Sequence, residues 1–566
     1  MPTISATLRD LQSLAGASYP VEELAQLLEL VKGEFKGHDP ATDELRIELN
    51  DTNRPDLWSI EGIARQLRTK RTGRAPDYPF FTGHIPDAEI MVDESVATIR
   101  PFVGGFLADD LLVTDSLLRG LIEMQEKLCE SFGQRRRSLA IGIYQAQSIR
   151  FPVSYRAVLP RSVRFVPLGM EAELDLAEIL EQHPKGIAYA SILADAKRYP
   201  LLIDAANQVL SFPPIINSRA VGEVRTGDSK LLVEATGSEL PTVLLALNII
   251  AVNMSDRGAR IMPLAARYPS RTATPLGQNV VVPCPLESRV TFERVDVERM
   301  LGVKLATDEI TRALGEYGCS VATDGDRLTV TAPPYRFDYL HPVDAIEDYA
   351  ISVGYGAFAP QMPTGFTVGT LDRLTQVEDR VRDRLIGYGF EEVMTNVLTS
   401  RAAEAERVGR PATGLVEIAN VMSEGYSVLR RSLIPSLLRV EAASTASLYP
   451  HRIFEVGECA IADPGQPEGS RTMSAAAAFI AHASASFSEL QSYLDRLCYD
   501  MGLAYRLAPA EKGPFIAGRQ ACILAGDTPL GDIGEIHPET LTAWGVRTPV
   551  VAFEMDLTQV LEVLGR

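Results

Sequence analysis

Four carboxylates crowd one short stretch of the chain, Arg336-Phe337-Asp338-Tyr339-Leu340-His341-Pro342-Val343-Asp344-Ala345-Ile346-Glu347-Asp348. Pro342 suits the first turn of a helix, and Asp344, Glu347 and Asp348 then fall at i, i+3 and i+4, on one face. Asp338 stands in the preceding loop, able to approach that face from its N-terminal end. Such an all-oxygen set suits a hard cation such as Mg²⁺, which usually keeps several waters. The competing reading is a solvated helix start, where the macrodipole favours each acid by ~0.3–1 kcal/mol. Four acids with no basic residue on the same face also ask for a counter-charge.

Other chemistry-bearing patterns are weaker. The run Arg65, Arg68, Lys70, Arg71 and Arg74 contains no acid, and Arg135-Arg136-Arg137 forms a second basic run. Each is either a solvated face or a contact to phosphate or to a partner. Cys129, Cys284, Cys319, Cys459, Cys498 and Cys522 lie far apart, without CxxC pairs or histidines at zinc-ligand spacing, and read as reduced buried thiols. There is no GxxxxGK[ST] phosphate loop, HExxH, GxSxG elbow or paired GxGxxG.

The elements that must position these residues follow from periodicity. Thr3 to Leu8 alternates as a strand, and Leu24, Leu27, Leu28 and Val31 mark a helix. Ile47 to Leu57 reads as a strand entering the polar turn Asn53-Arg54-Pro55-Asp56, then a helix from Ser59 to Leu67. From about Ile85 to Tyr268 short β-rich runs alternate with helices, among them Phe102–Leu107, Asp115–Cys129, Leu139–Ile143 and Leu231–Gly237. A Pro-rich stretch between Pro269 and Pro285 closes that block. The expected fold class is multidomain α+β, with domains at 1–84, 85–275, 276–360 and 361–566.

At 566 residues, 46% hydrophobic and 23% charged, the chain supports several folded domains. A net charge of −19 argues against a surface that coats nucleic acid, so any RNA contact is local. No apolar run reaches the ~18 residues of a membrane helix, and the start lacks the pattern of a secretory signal, so a cytoplasmic address is expected.

Several of these segments, in order along nearly the whole chain, resemble the β subunit of phenylalanyl-tRNA synthetase. Asn53-Arg54-Pro55-Asp56-Leu57 followed by Ser59 to Arg65 is similar to a hallmark of its N-terminal domain. Arg100-Pro101-Phe102, Ile122 to Leu128, Arg135-Arg136-Arg137 and Pro213-Pro214-Ile215-Ile216-Asn217 resemble the editing region of the archaeal and eukaryotic-type branch. Leu429 to Leu438, Ile453 to Gly457 and Gly534 to Pro538 look like the catalytic-like domain, with a class II antiparallel sheet. The length leaves no room for the OB and anticodon-binding domains that bacterial-type β subunits usually add.

The resemblance implies a ligase subunit in an α2β2 heterotetramer that attaches phenylalanine to its tRNA. ATP would be used by the α subunit, because the late glycine-rich strand-helix motif ending in an ATP-holding arginine is missing between Gly513 and Arg566. It also implies Mg²⁺ at Asp338, Asp344, Glu347 and Asp348, shared with the α subunit. This chain would proofread, since an apolar synthetic pocket rejects an added hydroxyl only ~10²-fold and tyrosine will sometimes be attached. Family members of the bacterial type read the tyrosine hydroxyl with a glutamate eleven positions before a Leu-Leu-Glu run. Glu223 has that spacing to Glu234, although Gly222 and Arg225 depart from the flanking pattern, and either glutamate could be a plain charged strand end. Arg137 and Asn217 complete the editing candidates. The rival expectation is a stand-alone trans-editing deacylase or tRNA-binding scaffold that never meets an α subunit.

Overall fold

A computed structural model describes residues 2–50, 53–82, 86, 88–272, 274–444 and 446–565. The chain divides into two compact units, Met1–Met362 and Pro363–Arg566, a break within two residues of the expected 360/361 boundary.

The first unit opens with a three-stranded sheet, Thr3–Thr7, Gly33–Asp39 and Glu44–Leu49, the last strand in the middle. The polar turn leads into helix α1 (Ile60–Thr72), capped by Ser59, whose hydroxyl accepts from Gly62 N at 3.2 Å. A side chain at Gly62 would collide with the Asp56 carbonyl, so the turn and the helix start can pack only around glycine. Arg54 locks the turn by a paired contact to Asp56, 2.8 Å at each oxygen, fully buried.

Three members of the basic run are paired inside the protein, while Arg71 and Arg74 stay exposed. Arg65 and Arg68 both pair with Asp256 at 2.7 Å, Arg65 also meets Asn253 at 2.8 Å, and Lys70 pairs with Glu316 at 2.5 Å. These ties join the first sheet to the rest of the unit. Accordingly one hydrophobic core runs from Ile4 to Tyr335, across the boundaries expected near residues 84 and 275.

That core lies under a ten-stranded sheet. In chain order its strands, with the two long helices between them, are β1 (Glu89–Val92), β2 (Phe102–Asp109), α2 (Asp115–Lys127), β3 (Leu139–Gln145), β4 (Val153–Val158), β5 (Tyr199–Ile203), β6 (Val209–Phe212), β7 (Ile216–Asn217), β8 (Leu231–Gly237), α3 (Leu240–Asp256), β9 (Arg260–Arg267) and β10 (Asn279–Val282). The strand order is β7-β6-β5-β4-β1-β9-β2-β8-β3, with β10 paired to β9. Only the β1–β4 and β1–β9 pairs are parallel. Helix α3 is apolar almost all round and is buried accordingly, its Leu247 packed where Gly104 of β2 has no side chain. Every residue of β8 is buried.

A smaller sheet with its own core follows, built from Arg289–Glu293, Arg327–Thr331 and Ser320–Asp324 and covered by helix α4 (Pro342–Val353).

The second unit holds a seven-stranded sheet ordered Glu391–Glu392, His451–Ala462, Ser470–Ala481, Val550–Asp556, Thr528–Ile536, Phe515–Ala525 and Arg506–Pro509, antiparallel beyond its first pair. The interior strand Ser470–Ala481 feeds two cores by strict alternation. Ala476, Ala478 and Ile480 face the helices Arg373–Gly387 and Phe487–Met501, while Ala475, Ala477 and Phe479 face Ile434–Ala443. Among the described residues no helix is long and apolar enough to cross a membrane.

Candidate functional site: a buried glutamate in an apolar cavity

The ten-stranded sheet curls until its two ends face each other. Asn217 of β7 donates through Nδ2 to the Ile143 carbonyl of β3 at 3.4 Å, and Gln125 of α2 donates to Ile141 O at 2.6 Å. Between these edges lies a cavity of about 320 Å³, at the small end of ligand pockets. Its wall is mainly apolar: Leu118, Leu121 and Ile122 from α2, Ile141 and Ile143 from β3, and Phe212 to Ile216 from the β6–β7 turn. Ser211, Asn217, Thr236, Glu234 and Arg136 add polar atoms.

Glu234 is the chemically unusual member. It sits mid-strand on β8, opposite Gly105 on β2 and Gly142 on β3, with 3% exposure. Tyr144 donates its phenol hydrogen to Glu234 Oε1 at 2.7 Å, and Oε2 has no hydrogen-bond partner. Burial pushes the Glu234 carboxyl up to about 7, against the Tyr144 bond and the positive Arg100, both of which favour the ionised form. A half-satisfied buried carboxyl in an apolar cavity is costly unless a ligand completes it.

Arg136 reaches the cavity from a strained loop. Helix α2 ends in a wider turn at Leu128–Phe132, after which Gln134, Arg135 and Arg136 adopt left-handed backbone (φ 51°, 54° and 65°). Each such residue costs roughly 1–2 kcal/mol. Buried Arg100 holds the loop: its Nη1 donates to the carbonyls of Arg136 (3.1 Å) and Arg137 (2.9 Å), while Nε reaches Thr236 Oγ1 at 2.9 Å. Arg136 in turn donates to the carbonyls of Pro214 and Ile215 and lies over the Tyr189 ring at 4.4 Å. It therefore ties the two cavity walls together.

The sequence candidates separate on this geometry. Glu223 lies at the exposed mouth, paired with Arg225 at 2.7 Å. Glu234 forms the floor and Asn217 closes a wall. The Arg137 side chain is exposed and outside the cavity lining; Arg136 takes the inner position. Arg100 entered the sequence reading only within the editing-region resemblance, and Tyr144, Ser211 and Thr236 were not singled out. For Glu234 itself the sequence carried one further signal, a lone acid in the otherwise uncharged run Leu231 to Gly237.

The acidic stretch is arranged differently from the expected cation site. Asp338 and Asp348 are both engaged by Arg336, at 2.6 and 2.8 Å, and Tyr339 donates to Asp348 at 2.5 Å. Burial opposes the charge on Asp338, yet Arg336 prevails and holds its carboxyl below the usual range. Asp344 accepts from the backbone N–H groups of Leu340 and His341 at 2.7 Å, and Glu347 pairs with Lys32 at 2.9 Å. The four acids thus do not share one focus. Their counter-charges are Arg336, from the loop, and Lys32, from 315 residues away. Among the described residues no group of three or more His, Cys, Asp or Glu side chains is placed to hold a metal.

Residues 359–557 match the family described as phenylalanyl tRNA synthetase beta chain CLM domain, and 290–355 match the tRNA synthetase B5 domain. A phenylalanine–tRNA ligase beta subunit from Borrelia garinii subsp. bavariensis is 39% identical over 553 residues, 96% of this chain and 97% of that protein. One from Borrelia turicatae is 36% identical over 566 residues, covering 99% and 100%. Both organisms are bacteria. Among solved structures, an N-terminal fragment of the phenylalanyl-tRNA synthetase β subunit from Pyrococcus horikoshii matches with a TM-score of 0.58 at 32% identity, covering 63% of this chain and 100% of the fragment.

Proposed function

The chain belongs to the phenylalanine–tRNA ligase β-subunit family, and from that premise we propose that it proofreads in the cavity around Glu234 while an α subunit performs the ATP-dependent synthesis. The observation that carries the reading is the unpartnered Oε2 of buried Glu234 in an apolar cavity. A phenylalanine side chain in that cavity leaves the oxygen unpaired, at a cost of ~1–3 kcal/mol or more, whereas a tyrosine hydroxyl donates to it. The site therefore favours the wrong amino acid.

Hydrolysis then needs only a positioned water. Water adds to the ester carbonyl, the bond from that carbon to the ribose oxygen breaks, the ribose oxygen takes the proton, and tyrosine leaves. Orientation of the ester and water is sufficient, and no side-chain nucleophile is invoked. Arg137, exposed beside the loop that carries Arg136, is assigned to the tRNA backbone instead of the amino acid.

The assembly is an α2β2 heterotetramer in the cytoplasm, with the tRNA for phenylalanine as the shared substrate. Met394, Met422 and Leu448 of the second unit are almost fully exposed. Asp344 and Glu347 are the half-buried carboxylates that would meet a Mg²⁺ completed by the α subunit, Glu347 on leaving Lys32. Asp338 and Asp348 join them only if released by Arg336. By architecture we place the chain in the archaeal and eukaryotic-type branch, on the strength of its likeness to the Pyrococcus fragment, although the relatives named above are bacterial.

The test is a pair of assays on the chain with and without its α subunit. Phenylalanine-dependent exchange of pyrophosphate into ATP is expected only with the α subunit present. The complex is expected to hydrolyse tyrosine mischarged on the phenylalanine tRNA and spare the correct product. Exchange by the chain alone, or a complex that leaves mischarged tRNA intact, would overturn the division of labour.

A further inference from the structure

The pairing of Tyr144 with Glu234 is built into the sheet and is not incidental contact. Tyr144 and Gly142 lie two residues apart on β3, so their side-chain positions share one face, and Glu234 on β8 is in register with Gly142. A Cβ at Gly142 would collide with both the Tyr144 hydroxyl and Glu234 Oε1. The missing side chain is the space in which the two groups meet. Both are fully enclosed, with Tyr144 at 0% exposure.

The carboxylate has two oxygens with different surroundings. Oε1 receives the phenol hydrogen at 2.7 Å, and Oε2 is left without a partner. Without the phenol, either oxygen could turn to the ligand and the charged form would lose its one direct donor. We propose that Tyr144 is the positioning residue of this site, fixing the carboxylate through Oε1 so that Oε2 reads a hydroxyl, and thereby setting the pH window of discrimination. The inference rests on the proofreading reading and adds the residue that tunes it.

The other charged and titratable groups around Glu234 do not substitute for Tyr144. Arg100, ahead of β2, favours the ionised carboxyl, but its described donors go to Thr236 and to the carbonyls of Arg136 and Arg137. Tyr155 on β4 spends its hydroxyl on the Arg100 carbonyl at 2.8 Å. Around the cavity, Arg136 is engaged by backbone carbonyls, Lys185 pairs with Glu126 at 3.6 Å, and Glu223 pairs with Arg225. Burial holds the Glu234 carboxyl near 7, so its ionisation falls within the accessible range of an assay.

The experiment measures the ratio of kcat/KM for tyrosyl over phenylalanyl tRNA from pH 5.5 to 9 in the assembled complex, a ratio that cancels the hydroxide dependence common to both esters. Wild type should show a selectivity that rises with pH through about 7 as Glu234 ionises. Tyr144→Phe removes a charge-assisted hydrogen bond, and its midpoint should move up by ~1–2 pH units. Replacing Tyr144 by 3-fluorotyrosine, a more acidic donor of nearly the same shape, should move the midpoint down. Unchanged phenylalanine charging shows that each complex is assembled. Glu234→Ala serves as the reference: if it keeps full selectivity, the proofreading reading itself fails. If Glu234→Ala loses selectivity but neither Tyr144 replacement moves the midpoint, the positioning role is overturned and the proofreading reading stands.

Discussion

Replacing Glu234 by Gln should stabilise the protein at pH 8 while impairing proofreading. A carboxyl whose folded pKa is raised binds more protons in the folded than in the unfolded state. Stability then falls as pH rises from the ordinary value near 4.5 to the folded value of about 7. Above pH 7 the whole cost is present, about 3 kcal/mol at ~1.4 kcal/mol per pH unit. Glutamine keeps an oxygen for the Tyr144 hydrogen bond and carries no charge, so it avoids that cost. The comparison is the difference in melting temperature between variant and wild type across pH. The variant should gain steadily between pH 5 and 7 and level off above. Taking the difference removes buried Glu404, whose carboxyl is also pushed up to about 7 by burial in the other unit. A difference that does not vary with pH would mean that Glu234 ionises at its ordinary value and is not held for a ligand.

Replacing Arg336 by Met should be among the most destabilising single changes in the first unit. The guanidinium is 2% exposed, bridges Asp338 and Asp348, and lies over the Tyr339 ring at 5.1 Å. Its removal leaves two buried carboxylates unpaired, and breaking a buried pair in this way costs ~3–5 kcal/mol. Hydrogen exchange along α4 should report the loss. The pH dependence has a definite sign. Asp338 is held below its unfolded value, so its contribution is present above about pH 4 and fades as pH falls through the depressed value. Millimolar Mg²⁺ should leave exchange of the wild-type chain unchanged, because Arg336 already occupies Asp338 and Asp348. In Arg336→Met it should restore part of the lost protection, since the freed acids are then open to a cation. Protection of the wild-type chain by Mg²⁺ without its α subunit would contradict this account and return the four acids to a ready-made cation site.

Local physics made much of the fold legible. Ser59 ahead of an apolar-periodic run marked the start of α1, Pro342 that of α4, and the uncharged residues around Glu234 marked β8. What sequence could not supply was long-range pairing. The run from Arg65 to Lys70 looked free because its acids, Asp256 and Glu316, lie some 190 and 250 residues later. The acidic stretch looked like a cation site because spacing on one helix cannot reveal that Arg336 folds back between two acids, or that Lys32 arrives from another module. The resemblance pointed to Glu223 as the reader of the hydroxyl, by its spacing to Glu234. Only the sheet register, with Gly105 on one side and Gly142 on the other, separates an exposed rim residue from a buried acceptor. Tyr144 escaped notice for the same reason, since its partner lies 90 residues away.

Selection of the wrong amino acid through one oxygen of this cavity is read from hydrolysis of tyrosyl and phenylalanyl esters of the same tRNA. The comparison is between wild type, Glu234→Ala and Glu223→Ala complexes at pH 8. Loss of a hydrogen bond to a charged acceptor should lower the tyrosyl-over-phenylalanyl preference of Glu234→Ala by ~10–100-fold. Glu223→Ala should keep it, and phenylalanine charging should be unaltered in both. An undiminished preference in Glu234→Ala, or its loss in Glu223→Ala alone, would contradict the assignment.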